Sequence, residues 1–145
     1  MPTIVYVDDS RDDLFYLDYI RRKQQIDVDL FCFSTAETAL EALKQRVAEG
    51  WAPPELLVAD LYMPLDSGIG LVSKLRGDDR FSAMRLAICS GSDADEDRAR
   101  AFEAGADFYL EKPLDLAEIV LNLEVSETAN TGGPGVRSGD MTNRN

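Results

Sequence analysis

Glu55-Leu56-Leu57-Val58-Ala59-Asp60 is an apolar run without polar alternation that stops at a carboxylate, and the turn formers Met63-Pro64-Leu65-Asp66-Ser67-Gly68 follow it. A run of this length, bounded by turn residues, predicts a strand buried on both faces. Such strands belong to parallel sheets with helices packed above and below. The stretch therefore points to an α/β chain before any other segment is read.

The same strand-then-helix unit recurs on either side. Upstream, Thr3-Ile4-Val5-Tyr6-Val7 is a short buried-strand signal ending in Asp8-Asp9-Ser10, and residues 11–25 carry Leu14, Leu17 and Ile20 as a helical face. Residues 28–33 read as a second strand. Ser34-Thr35-Ala36-Glu37 matches a capping box, with Ala36, Ala39, Leu40, Leu43 and Val47 as the core stripe behind it. Gly50 and Pro53-Pro54 close that helix. Downstream, a helix carries Leu71, Val72 and Leu75, and residues 85–90 form a fourth strand. Ser92 is expected to cap a helix with Ala94, Ala101 and Phe102 on its apolar face, ended by Gly105. Residues 107–110 make a short fifth strand before Lys112-Pro113. The segment from Ile119 to Val125 reads two ways: a helix through Leu116, Ile119, Val120 and Leu123, or an edge strand by its alternation from Leu121 onward. Five units predict a doubly wound parallel sheet, whose ligands sit outside the carboxyl ends of the strands.

The chain has 145 residues, 45% hydrophobic and 29% charged, enough for one domain with a proper core. Residues 1–125 are expected to fold, while residues 126–145, rich in Gly, Ser, Thr and Asn, have the composition of a C-terminal tail or dimerisation arm. No apolar run approaches the ~20 residues that span a bilayer. The first seven residues lack a basic n-region, so a cytoplasmic location with no membrane partner is expected. A net charge of −12, from 27 acidic and 15 basic residues, repels phosphates and argues against a nucleic acid partner. Cys32 and Cys89 lie in apolar runs without metal or redox spacing and read as buried reduced thiols. There is no histidine, so any phosphohistidine donor must belong to another protein.

Asp8-Asp9, Asp60, Ser90 and Lys112 each follow or end a different strand, and a parallel sheet brings those ends to one rim. Two like charges ~4 Å apart repel by about 4 kcal/mol at an effective dielectric of about 20. Three such pairs among Asp8, Asp9 and Asp60 approach about 12 kcal/mol, comparable to the ~5–15 kcal/mol that hold a domain together. The cluster must take up protons, spread, or bind a cation. Oxygen ligands without His or Cys select Mg2+ or Mn2+. A carboxylate beside such an ion and a lysine suits phosphoryl transfer, with Asp60 attacking and Ser90 donating to the acyl phosphate formed.

In this order, Asp8-Asp9, Asp60 with Met63-Pro64 and Gly68, Ser90-Gly91 and Lys112-Pro113 resemble the receiver domain of two-component response regulators, over roughly residues 3–124. The resemblance implies a flavodoxin-like strand order 2-1-3-4-5 and Asp60 as phosphoacceptor. It implies Mg2+ or Mn2+ held by Asp60, by Asp9 directly, by Asp8 through water and by the backbone carbonyl of Tyr62. Lys112 would contact the phosphate, Ser90 would be the switch hydroxyl, and Tyr109 the aromatic that turns inward with it. A cis peptide at Lys112-Pro113 is also implied. The chain would be a stand-alone switch and not an enzyme, fed by a histidine kinase or phosphotransfer protein and acting through protein contacts. Gly91 stands where alanine is common, which should loosen the exit of the fourth strand. Tyr62 and Ser92 fill the two variable positions that flank the phosphate.

Plainer readings stand beside these. Asp12 and Asp13 read as helix-dipole partners, Asp8 as a helix N-cap, Tyr109 as an ordinary core aromatic, and Asp78-Asp79, Asp93 and Asp95-Glu96-Asp97 as solvated charges. A phosphatase with an aspartyl nucleophile commonly places an acid two residues further on; Tyr62 occupies that position. A phosphorylation-independent interaction module is the other alternative. A short or absent fifth helix would uncover an apolar face, so a homodimer paired through the C-terminal arm, or the fourth helix and fifth strand, is expected.

Overall fold

The structure, a computed structural model, describes residues 1–63 and 67–132, with 126–132 as backbone only. Its elements are β1 (Thr3–Val7), α1 (Arg11–Lys23), β2 (Asp29–Phe33), α2 (Ala36–Ala48), β3 (Leu56–Asp60), α3 (Gly68–Arg76), β4 (Arg85–Ser90), α4 (Asp95–Ala104), β5 (Phe108–Glu111) and α5 (Leu116–Gly132). All strands pair in parallel in the order β2-β1-β3-β4-β5, the doubly wound arrangement. Every residue of β3 is buried, which is why its sequence shows no alternation.

Strand periodicity sorts the side chains into two cores. Ile4, Tyr6, Val58, Ala87, Cys89 and Leu110 pack with Leu17, Ile119 and Leu123 on the α1/α5 side. Val5, Val7, Leu57, Ala59, Ile88 and Tyr109 pack with Leu43, Leu71 and Ala101 on the other. Continuing the alternation past the strand ends, Asp8, Asp60 and Lys112 follow the first face and Ser90 follows the second. Register then gathers them at one edge, with Val7 beside Ala59, Asp60 beside Cys89 and Ser90 beside Glu111.

Several local expectations need correction. Helix α2 is capped by Thr35, whose hydroxyl accepts from the Thr38 amide at 3.1 Å; Ser34 lies one residue outside, so Glu37 is not its capping-box partner. Ser92 does not cap α4. Its hydroxyl accepts from the Ala94 amide and closes a turn ahead of the helix, which begins at Asp95 with no side-chain cap. The N-cap of α1 is Ser10, not Asp8. Cys89 is buried, but Cys32 is exposed, because β2 is an edge strand with only β1 beside it.

The segment from Ile119 to Val125 is helical. Leu116, Ile119, Val120 and Leu123 are buried against the sheet, while Leu121 and Val125 face outward. The apolar face that a short fifth helix would have uncovered is therefore covered within the chain. Pro64, Leu65 and Asp66 of the turn motif, and residues 133–145 of the expected arm, lie outside the described residues. Among the described residues no helix is long and apolar enough to cross a membrane. The Lys112-Pro113 peptide is cis.

Candidate functional site

The rim above β1, β3 and β5 is organised around one ammonium group. Lys112 Nζ lies 2.7 Å from Asp8 Oδ2, 2.7 Å from Asp13 Oδ2 and 3.0 Å from Asp60 Oδ1. Asp8 is fully buried, and both of its oxygens are occupied: Oδ1 accepts from the Ser10 amide at 2.9 Å and Oδ2 from the Tyr6 hydroxyl at 2.6 Å. Asp60 is 6% exposed. Cys89, its register neighbour, brings a thiol within 4.8 Å of the Asp8 and Asp60 carboxylates. Gly68 is needed here, because a Cβ would overlap the Asp60 carbonyl oxygen.

Burial sets the protonation behaviour of the cluster. It raises the Asp60 carboxyl above its usual range; the Lys112 hydrogen bond opposes this, and Asp8 and Asp9 add to it. For Lys112 burial works against the charge, but hydrogen bonds to Asp13, Asp8 and Asp60 outweigh it and hold the ammonium protonated. Burial drives the Tyr6 phenol and the Cys89 thiol upward, so both remain neutral. Three carboxylates against one ammonium leave a net −2 (three minus one). Oxygen donors with that residual charge fit a hard divalent cation. Asp9 is exposed, outside the buried Asp8–Asp60–Cys89 group, and acts on Asp60 through its field.

The α4 side is built differently. Ser90, 3% exposed, accepts the Ser92 amide on its hydroxyl at 3.1 Å. Tyr109 is fully buried, donates its hydroxyl to the Ser92 carbonyl at 2.6 Å, and carries the Arg98 guanidinium 5.0 Å from its ring centroid. Tyr62, two residues beyond Asp60, is 59% exposed yet donates to Asp97 Oδ1 at 2.8 Å. Asp97 is therefore a buried partner and not a solvated charge, with Arg100 3.7 Å from the same oxygen.

Residues 4–124 match the response regulator receiver domain family. The chain belongs to that family. As a receiver domain of two-component signalling it is 33% identical over 123 residues to the transcriptional regulatory protein PrrA of Mycobacterium leprae, a match covering 85% of this chain and 48% of PrrA. The chain spans about half the length of the curated relatives it matches. A two-component response regulator from Legionella pneumophila superposes with a TM-score of 0.73 at 21% identity, covering 89% of this chain and 99% of that one. The Mn2+-bound form of response regulator Rcp1 superposes with a TM-score of 0.65 at 20% identity, covering 88% and 93%. At these identities the structures establish a shared fold.

Within the receiver domain, the structure brings Asp8, Asp60 and Lys112 into contact and sets Ser90 and Tyr109 on the opposite face of the sheet. The Tyr62 backbone forms an antiparallel bridge with Ser67 that closes the β3–α3 loop. Asp13, read from sequence as a dipole partner, is a direct partner of Lys112, 99 positions away, and no local pattern signals that. Tyr6 and Cys89 were equally unannounced as site neighbours, although strand alternation does place them on the face of Asp8 and Asp60. A Cβ at Gly91 would meet nothing within 4 Å, so this glycine is not sterically required.

Proposed function

We propose that Asp60 accepts a phosphoryl group from a phosphohistidine on a partner histidine kinase or phosphotransfer protein. An Asp60 carboxylate oxygen attacks phosphorus, the P–N bond breaks as the P–O bond forms, and the imidazole leaves with a proton from solvent. The observation that carries this reading is the Lys112 ammonium, shared between Asp60 Oδ1 and the buried Asp8. It lies where charge accumulates on the transferring group. Asp8, Asp9, Asp60 and the Tyr62 carbonyl would hold Mg2+ or Mn2+, which when bound neutralises the phosphoryl oxygens. The Mn2+ form of Rcp1 supports that choice of ion.

Ser90 then exchanges its hydrogen bond. Its hydroxyl, now accepting from Ser92, turns to donate to the acyl phosphate. Tyr109 is already inward and held by the Ser92 carbonyl, so a shift of Ser92 reaches Tyr109 and α4 directly. Output passes to a protein partner, consistent with the acidic surface, and a cytoplasmic setting fits a kinase donor. Pairing of two copies has the exposed Leu121 and Val125 of α5 in its favour; sedimentation showing a monomer with and without a phosphoryl mimic contradicts it.

Incubation with Mg2+ and acetyl phosphate tests the central step. A stoichiometric, base-labile acyl phosphate that disappears in Asp60→Asn is expected. Many turnovers indicate a phosphatase, and absence of label indicates an interaction module; either contradicts the proposal.

A further inference from the structure

The hydroxyl of Tyr6 takes no part in the transfer just described, yet it is only 2.6 Å from Asp8 Oδ2. Asp8 is 0% exposed, so solvent does not orient its carboxylate. The donors on it come from three directions: the Ser10 amide on Oδ1, and Tyr6 and Lys112 on Oδ2. Lys112 is divided among Asp8, Asp13 and Asp60 and is the group drawn away when charge grows on Asp60. Tyr6 serves no second carboxylate; its other polar neighbour is the neutral Cys89 thiol, a far weaker acceptor. Its ring is 1% exposed and packed in the α1/α5 core.

We infer that Tyr6 is a positioning residue for the phosphoryl-transfer site, holding the buried Asp8 carboxylate in the orientation that a divalent cation requires. Two fixed donors on opposite oxygens, Ser10 N–H and Tyr6 O–H, define the carboxylate plane whatever Lys112 does. Without the phenol, Oδ2 of Asp8 is held by the shared lysine alone, and the carboxylate can pivot about the Ser10 hydrogen bond on Oδ1. Groups that orient a metal-binding carboxylate typically matter 10- to 100-fold, roughly, in metal affinity. Mg2+ demands near-ideal octahedral geometry whereas Ca2+ tolerates irregular shells, so a loosened Asp8 also costs selectivity.

The inference rests on the reading that this pocket takes a divalent cation, and the test separates the two. Free Mn2+ is followed by electron paramagnetic resonance during titration of the full chain and of Tyr6→Phe, with thermal melts in parallel and with Mg2+ and Ca2+ as competitors. Mn2+ affinity about tenfold weaker in Tyr6→Phe, with a smaller Mg2+ over Ca2+ preference and a cooperative melt, is expected. Equal affinity and selectivity in the two proteins overturn the role of Tyr6 and leave the cation reading intact. No Mn2+ binding by the unaltered chain removes both. A second readout needs no variant: the hydroxyl proton of Tyr6, followed by NMR in water, should persist at saturating Mg2+, and its loss to fast exchange overturns the inference.

Discussion

The two flanks of Asp60, the proposed phosphoacceptor, are held in unlike ways. On the α1/α5 side, Asp8, Asp13 and Asp60 converge on Lys112, and Tyr6 and Ser10 close the remaining positions on Asp8. On the α4 side, hydrogen bonds run from Ser92 to Ser90, from Tyr109 to Ser92 and from Tyr62 to Asp97, the charged contacts are the longer ones of Arg100 to Asp97 and Arg98 over the Tyr109 ring, and α4 itself starts without a side-chain cap. Breaking a buried ion pair leaves an uncompensated charge and costs about 3–5 kcal/mol, while exchanging one hydrogen bond for another costs about 1 kcal/mol or less. A new charge on Asp60 therefore meets a stiff flank and a compliant one. If Asp60 is phosphorylated as proposed, the pocket is expected to stay in place and α4 to respond.

The largest effect that would break this contrast belongs to Lys112. Lys112→Met leaves Asp8 and Asp60 buried with no cation, and urea unfolding at neutral pH should show a loss of about 3–5 kcal/mol, partly restored by millimolar Mg2+. A loss below about 1 kcal/mol would place the stiffness elsewhere.

Asp60 provides a pH test of the same flank. Its carboxyl is raised in the folded state, chiefly by burial. The folded chain thus binds this proton more readily than the unfolded chain. The stabilisation is complete below the ordinary carboxylate pKa and is lost as pH rises through the elevated folded value. Asp60→Asn should melt at a higher temperature than the parent at neutral pH, with the gap closing on acidification. A gap independent of pH contradicts the assignment.

The α4 flank should answer more weakly. Tyr62→Phe removes one hydrogen bond to Asp97, worth about 1 kcal/mol, so α4 amides should exchange about fivefold faster while β1 and β3 are unchanged. Tyr62→Asn tests whether this side chain shields the proposed acyl phosphate: the phosphorylated form should hydrolyse several-fold faster, and an unchanged rate shows that Tyr62 does not shield it. Gly91→Ala, with open space around it, should shift stability by less than about 0.5 kcal/mol.

The same contrast explains what could be read from the chain. The sheet was legible because β3 is buried throughout, and because Asp8, Asp60 and Lys112 each sit at a strand terminus where period-two burial gives way to charge. β1 and β4 match their sequence readings end to end. Partners set only by tertiary packing left no trace: Asp13 meets Lys112 across 99 positions and Asp97 meets Tyr62 across 35. Ser34 and Thr35 are adjacent and both able to cap, so the one-residue shift of α2 is decided by the backbone entering the helix. The exposure of Cys32 depends on β2 being at the sheet edge, a property of strand order and not of its own run.

The most direct measurement is the amide NMR spectrum of the isotope-labelled chain before and after Mg2+ and beryllofluoride, a phosphoryl mimic that adds to Asp60. If the contrast between the two flanks holds, the largest shifts fall at Ser90–Ser92, at Tyr109 and through α4, with β1 and β2 nearly unmoved away from Asp8 and Asp9. Shifts confined to the acidic rim, or a spectrum unaltered by the mimic, would contradict it.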